Sequence, residues 1–197
     1  MSELWLIRHG ETEWSRSGQH TGTTDSPLTE AGEQQALALG RFLEGRAFSH
    51  VLVSPLARAR RTCELAGLGA AAQVDDDLHE WKYGEYEGLT SQQIRAARPN
   101  WSIWEDGALG GETIEEVAAR ARAVIERAAV MMQQEPSANV AMFAHGHLLR
   151  ILATCWLDLP PSAARQFLLG TATVSVLGDE HATRAIRLWN WSANGDH

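Results

Sequence analysis

Two short apolar runs, Leu4 to Ile7 and Val140 to Ala144, each lead into a histidine followed by glycine: Arg8-His9-Gly10 and His145-Gly146. Apolar runs of this length without alternation suit strands buried on both faces, as in a parallel sheet covered by helices on either side. The segments between them fit that frame. Glu30 to Leu43 carry a helical pattern through Ala36, Leu39, Gly40 and Leu43, and Val51 to Val53 form a second strand. Ser54-Pro55 then read as a helix start, Ser at the cap and Pro at the first helical position, with the helix running to about Ala66. A third strand lies near Val74. Leu78 to Gly111 are irregular and rich in Trp and Gly, with one short helix at Gln92 to Ala97. Thr113-Ile114-Glu115-Glu116 has capping-box spacing and opens a long helix through Val117 to Met131. Leu148 to Leu157 read as helix, Pro160-Pro161 stop the chain, and Thr173 to Leu177 and Ala185 to Trp189 alternate as half-exposed strands. The expected fold is α/β: a single domain over residues 1–197 with a mostly parallel central sheet flanked by helices on both faces.

Composition narrows the partners. A formal charge of −8 repels nucleic acid and anionic lipid, so any bound anion needs a local cluster of cations. Cys63 and Cys155 stand apart with no CxxC or zinc-ligand spacing and read as reduced core thiols. Residues Met1 to Ile7 lack a basic leader, and no apolar stretch approaches the ~18 residues of a membrane span. A soluble, cytoplasmic protein is expected, without nucleic-acid or membrane partners. A homodimer is left open.

In open α/β sheets, ligands bind beyond the carboxyl ends of the strands. His9 and His145 sit at such ends, and Arg58 lies in the first turn of the helix that follows a third. Arg8, Arg58 and two imidazoles thereby converge on one pocket in an acidic chain. Gly10 and Gly146 let the backbone approach a ligand. Phosphate fits the arginine fork, and a unit-charge pair at ~4 Å gains about 4 kcal/mol under an effective dielectric near 20, before desolvation reduces it.

Arg8-His9-Gly10-Glu11-Thr12 resembles the signature of the histidine phosphatase superfamily, which includes the cofactor-dependent phosphoglycerate mutases. Ser54-Pro55-Leu56 with Arg58-Ala59 and Thr62, Leu78 and Glu80 with Tyr83 to Gly88, Gly111-Glu112-Thr113, and His145-Gly146 follow in the family's order, so the resemblance runs from about Glu3 to Leu152. It implies that His9 attacks phosphorus, that Arg8, Arg58 and His145 hold the phosphoryl oxygens, and that Glu80 is the proton donor. Where the family usually has Asn this chain has Ser15, which would contact substrate through a shorter hydroxyl. Gly18 to Gly22 match the second pocket segment, with Thr21 and Gly22 as contacts. Phe143 to His147, Trp14-Ser15 and Glu80 to Gly84 look closest to the sedoheptulose-bisphosphatase-like and acid-phosphatase branch.

The chemistry agrees with these roles. A nucleophilic imidazole must be neutral, and neighbouring arginines favour that form. The expected activity is metal-independent phosphatase chemistry on a small phosphorylated metabolite such as a sugar phosphate, with no cofactor and no metal site. His145-x-His147 supplies too few ligands beside repelling arginines. A mutase shares the first half-reaction but needs a closing lid, and the interval from Glu80 to His145 is short for one; a silent phosphate-binding module is the other rival. Donors for a second anionic group are expected in His20, Thr21, Tyr83, His147 and Arg150, and Gly146 is expected to contact substrate through its backbone. Trp81, Trp101 and Trp104 are read as packing ahead of lining the mouth, and Glu11, Glu13, His79 and His181 as surface.

Overall fold

The central strand of the protein, β1 (Leu4–Arg8), shows why an unbroken apolar run is needed here. In a computed structural model that describes residues 2–134 and 139–193, Leu4 and Leu6 point into one core and Trp5 and Ile7 into another on the opposite face. Both cores are closed by helices.

The elements follow in the order α1 (Glu13–Ser17), α2 (Glu30–Leu43), β2 (Phe48–Val53), α3 (Ala57–Leu65), β3 (Ala72–Val74), α4 (Ser91–Ala97), α5 (Ile103–Asp106), α6 (Ile114–Gln134), β4 (Asn139–Ala144), α7 (Gly146–Trp156), β5 (Thr173–Glu180) and β6 (Thr183–Ser192). Single 3₁₀ turns fill several of the connections. The sheet runs β3-β2-β4-β1-β5-β6. Its first four strands are mutually parallel; β5 is antiparallel to β1, and β6 to β5. Residues of α6 and α7 pack with Leu4, Leu6, Val140 and Met142, while those of α2 and α3 pack with Trp5, Ile7, Ala141 and Phe143. This is a single-domain α/β fold with a mostly parallel sheet between helical layers. The outermost residues of the expected 1–197 span lie outside the described residues.

Local sequence explains the ends of the helices. Thr113 caps α6, its hydroxyl accepting from Glu116 N at 3.2 Å while the Glu116 carboxylate accepts from Thr113 N at 2.8 Å. Thr29 caps α2 through Gly32 N at 3.0 Å. The helix expected at Ser54-Pro55 instead begins at Ala57, capped by Leu56 without a side-chain bond. Its intended cap is diverted: Ser54 Oγ pairs with His145 Nε2 at 2.7 Å across the sheet.

One further expectation is corrected. The strand β5 is buried on both faces from Thr173 to Gly178, because it lies inside the sheet between β1 and β6. The irregular stretch holds core, as expected of its tryptophans: Trp81, Tyr83, Trp101 and Ile103 are buried in the same cluster as Leu4 and α7, and Trp104 packs against it. These side chains pack without helical or strand periodicity. Cys63 and Cys155 are free, buried and on opposite faces of the sheet. Among the described residues no helix is long and apolar enough to cross a membrane.

Candidate active site

The parallel register puts the ends of β1 and β4 side by side, pairing Arg8 with Ala144, so His9 and His145 emerge next to each other. Their ring centroids are 5.1 Å apart and both side chains are buried. Arg58, near the start of α3, is also fully buried. A chain of charge −8 therefore holds two guanidiniums and two imidazoles at the carboxyl ends of its central strands.

The hydrogen bonds settle the state of His9. Its Nδ1 lies 2.7 Å from the Gly10 carbonyl oxygen. A carbonyl only accepts, so Nδ1 carries the proton and Nε2 keeps a lone pair. Burial, with Arg58 and Arg8 adding positive charge, pushes the imidazole well below its ordinary pKa, so the neutral form persists at neutral pH. His145 is lowered in the same way by burial, Arg58, His9 and Arg8.

The arginines are braced from behind. Arg58 Nη1 donates to Thr24 O at 2.9 Å, and Nη2 donates to Thr21 O at 2.9 Å and Gly22 O at 3.1 Å. Arg8 Nη1 donates to the Leu169 carbonyl. Buried side-chain nitrogens left without a partner include Arg8 Nε, Arg58 Nε and His145 Nδ1. Buried donors in native proteins are almost always paired, so the two orphaned guanidinium N–H groups, with the unpartnered His145 nitrogen in the same cluster, mark a place built for an acceptor-rich guest.

Glu80 enters from the irregular stretch. Its Oε1 accepts from Trp81 N at 2.9 Å and Leu148 N at 3.0 Å, and its Oε2 from His147 N at 3.0 Å. Two of these donors are first-turn amides of α7, so Glu80 caps the positive end of that helix, and His145 contributes no side-chain cap. Behind Glu80 stands Arg120 of α6, whose five N–H groups are all committed. They reach Asp77 O, His79 O and Glu80 O at 2.8, 2.7 and 3.3 Å, and both Glu112 oxygens at 2.9 and 3.1 Å. Burial alone would raise the Glu112 pKa, but His79, Arg120 and the Lys82 amide together hold it at about 2. His79, expected at the surface, thus lies beside this clamp, its Nε2 3.5 Å from Glu112 Oε1.

A cavity of about 350 Å³ opens outward from these groups. Arg8, His9, Ser15, His20, Thr21, Glu80, Tyr83, Gly146, His147 and Arg150 of the sequence-read set line it; Arg58, His145 and Gly22 lie behind. Several of these differ in detail from expectation. The Ser15 hydroxyl is engaged in a capping box with Thr12, accepting from Thr12 N at 2.8 Å and donating to Thr12 O at 2.9 Å. Gly22 gives its N–H to Glu87 and its carbonyl to Arg58. Gly10 N donates to Thr62 Oγ1 at 3.0 Å, and a Cβ on Gly10 would fall 2.5 Å from Gly32 O, so this glycine serves chain-on-chain packing. Gly146 is the one whose added Cβ would meet the Arg8 guanidinium, at 3.3 Å.

His20 and His147 stack at 6.2 Å with Tyr83 against both. Tyr83 OH pairs with His147 Nδ1 at 2.6 Å and His20 Nδ1 donates to Leu89 O at 2.7 Å. Burial lowers both imidazole pKa values and raises that of the Tyr83 phenol, so all three are neutral groups. Sequence reasoning missed the far wall of the cavity: Ser91 and Arg95 on α4, with Ser102 and Ile103 beside Trp101 and Trp104. The i, i+4 spacing of Ser91 and Arg95 was the available signal.

Among the described residues, no group of three or more His, Cys, Asp or Glu is placed to hold a metal ion. The model of the histidine phosphatase superfamily (branch 1) matches residues 4–192. An acid phosphatase of Mycobacterium tuberculosis is 38% identical over 185 residues, covering 93% of this chain and 89% of its own. The sedoheptulose 1,7-bisphosphatase of Saccharomyces cerevisiae is 37% identical over 181 residues, covering 78% and 67%. Among solved structures, a mycobacterial glucosyl-3-phosphoglycerate phosphatase in complex with VO3 superposes with a TM-score of 0.86 at 31% identity, covering 98% of this chain and 100% of that one. With the family model matched along almost its whole length, the chain belongs to the histidine phosphatase superfamily.

Proposed function

We propose that the protein is a metal-independent phosphomonoesterase that acts on a small phosphorylated metabolite through a phosphohistidine at His9. The observation that carries this is the locked tautomer of His9: its proton is held by Gly10 O, and its Nε2 lone pair is left free in a cluster that holds the unpartnered Nε groups of Arg8 and Arg58 and the unpartnered Nδ1 of His145. In this reading Nε2 attacks phosphorus, the bond to the ester oxygen breaks, and Glu80 protonates the departing alkoxide. Glu80 Oε1 already accepts two hydrogen bonds and Oε2 only one, so the proton is carried on Oε2. Water then gives its proton back to Glu80 and takes the phosphoryl group from His9. Arg8, Arg58 and His145 stabilise charge on the nonbridging oxygens in both steps.

The names of the relatives support hydrolysis of a phosphate monoester, and the polar cavity supports a small substrate over a protein. Two buried thiols on opposite faces of the sheet support a reducing, cytoplasmic setting, and the acidic charge one without nucleic-acid or membrane partners. The test is brief exposure to a radiolabelled phosphate monoester in EDTA, followed by denaturation. An acid-labile, base-stable label on wild type and none on His9→Ala, with turnover undiminished by EDTA, is the expected result. Label retained by a folded His9→Ala protein overturns the nucleophile, and transfer to a second alcohol in place of release overturns hydrolysis.

A further inference from the structure

Two imidazoles that the proposed chemistry does not use, His20 and His147, line the cavity with their rings stacked, centroids 6.2 Å apart and planes 16° from parallel. Each is held at its Nδ1 edge. His20 Nδ1 lies 2.7 Å from Leu89 O, and since a carbonyl only accepts, Nδ1 carries the proton and Nε2 a lone pair. His147 is the reverse. Its Nδ1 lies 2.6 Å from the hydroxyl of the buried Tyr83, and that phenol has no other hydrogen-bond partner among the described residues. A buried O–H must donate somewhere, so its hydrogen goes to His147 Nδ1, and His147 carries its own proton on Nε2.

Neither ring is free to exchange these roles. His20 packs edge-on against Tyr83 and Trp101, and His147 is clasped by Trp81, Tyr83 and Trp104, so turning either ring over meets neighbours and breaks its Nδ1 bond. Neither Nε2 makes a hydrogen bond among the described residues, and neither is one of the enclosed nitrogens left without a partner, so both are open to the cavity. One fixed acceptor thus stands next to one fixed donor. Burial keeps both rings neutral, and the charge of Arg150 adds to this at His147. The pair also stands beside the proposed acid: the His147 amide holds Glu80 Oε2 at 3.0 Å, on the side where the leaving oxygen takes its proton.

A carboxylate or phosphate oxygen only accepts, so it suits His147 Nε2–H but sets lone pair against lone pair at His20. An ammonium only donates and fails at His147. An alcohol hydroxyl does both. We infer that His20 and His147 are specificity-determining residues that read uncharged hydroxyls on the leaving alcohol, so that a polyol phosphate is preferred over a plain alkyl chain and over one bearing a carboxylate or an ammonium. This rests on the proposed reading of the inner site and names the chemistry of its leaving group. His20, Tyr83 and His147, expected as donors to a second anionic group, are thereby reassigned: the Tyr83 hydrogen is spent on His147 and sets its tautomer.

The test compares three-carbon monophosphates that differ only in what the chain carries: α-glycerol phosphate with hydroxyls, propyl phosphate with none, and chains ending in a carboxylate or an ammonium. In kcat/KM, α-glycerol phosphate should exceed propyl phosphate by about tenfold or more, since polar groups built to meet a hydroxyl reject the chain that lacks it. Both charged chains should also fall below α-glycerol phosphate. His20→Phe keeps a ring against Tyr83 and Trp101 without the acceptor, and should cut the glycerol phosphate rate most, closing most of the gap to propyl phosphate. Tyr83→Phe should narrow the gap in part, by releasing His147 from one tautomer; where thermal melts show His20→Phe unfolded, this variant decides. Independently of turnover, nitrogen NMR of the imidazoles should show His20 protonated at Nδ1 and His147 at Nε2, each assigned by its loss in the Phe variant. Propyl phosphate equal to α-glycerol phosphate, a carboxylate chain that is the best of the four, a gap that survives the substitutions, or a proton on His147 Nδ1 overturns the pair. Tautomers and preference as expected, with no phosphoenzyme at His9, would sink the catalytic reading and leave the hydroxyl-reading pair standing.

Discussion

The inner and outer halves of the cavity are built by different means. The inner half stands at the carboxyl ends of interior strands: Arg8 ends β1, His9 and His145 follow directly on buried strands whose register fixes their spacing, and Arg58 is pinned by three carbonyls. The outer half is made by short helices and loops, α4 with Arg95, the loop with Trp101 and α5 with Trp104, tied together by side-chain contacts and side chain–backbone bonds. In the proposed reading the reaction chemistry stands on strand ends that tolerate little displacement, while the parts that would choose a substrate stand on contacts that can change residue by residue. Glu80 belongs to both halves: it comes from the irregular stretch but is bound to the first turn of α7.

The sharpest way to break this division is at Glu80. Glu80→Gln is expected to slow alkyl phosphates by ~10²–10⁴-fold and aryl phosphates far less, since a phenolate leaves without a proton. Measuring kcat over a series of leaving groups decides it. An equal loss for all leaving groups would remove Glu80 from proton transfer. Two nearby carboxylates are already committed elsewhere: Glu87 binds the amides of Gly22 and Thr24, and Glu112 binds Arg120.

Next in size is the clamp behind it. Replacing Arg120 with Met frees the carbonyls of Asp77, His79 and Glu80 and strands a half-buried carboxylate, so Arg120→Met/Glu112→Gln is the cleaner variant. A positioning role predicts a loss of about 10–10²-fold that grows with leaving-group pKa, and a non-additive cycle with Glu80→Gln. A loss independent of leaving group, and additive with Glu80→Gln, would reduce the clamp to a purely structural feature.

The smallest effect compares how the two halves respond to acid. His9 and His145 inside, and His20 and His147 outside, all have pKa values lowered by burial. The unfolded chain binds protons at these groups near pH 6.5 and the native protein only at lower pH, so the unfolded state gains protons first as pH falls. Stability is therefore full above about pH 6.5 and declines below it, toward the native pKa values. Thermal melts between about pH 8 and about pH 5 should show this fall, and His20→Gln should make it shallower. A Tm that is flat or rises toward acid contradicts the burial of these imidazoles in neutral form.

The sequence was enough for the central strands and for the residues that stand at their ends because both are local patterns. An apolar run closed by Arg-His-Gly or His-Gly specifies a buried strand and what stands at its end, and the Thr113 box specifies where the longest helix begins. The start of α3 escaped it, since the Ser54 hydroxyl that would cap the helix bonds His145, 91 residues away. Burial of β5 escaped it too, because alternation in sequence says nothing about which strand will lie alongside. Tertiary structure alone decided that Gly22 and Thr21 brace Arg58, that Glu80 caps α7, and that Arg95 faces the same cavity as Arg150. Each of these joins groups far apart in the chain through one or two hydrogen bonds or a shared wall. Such contacts have no periodicity to leave in the sequence and exist only once the sheet has fixed where the loops must meet.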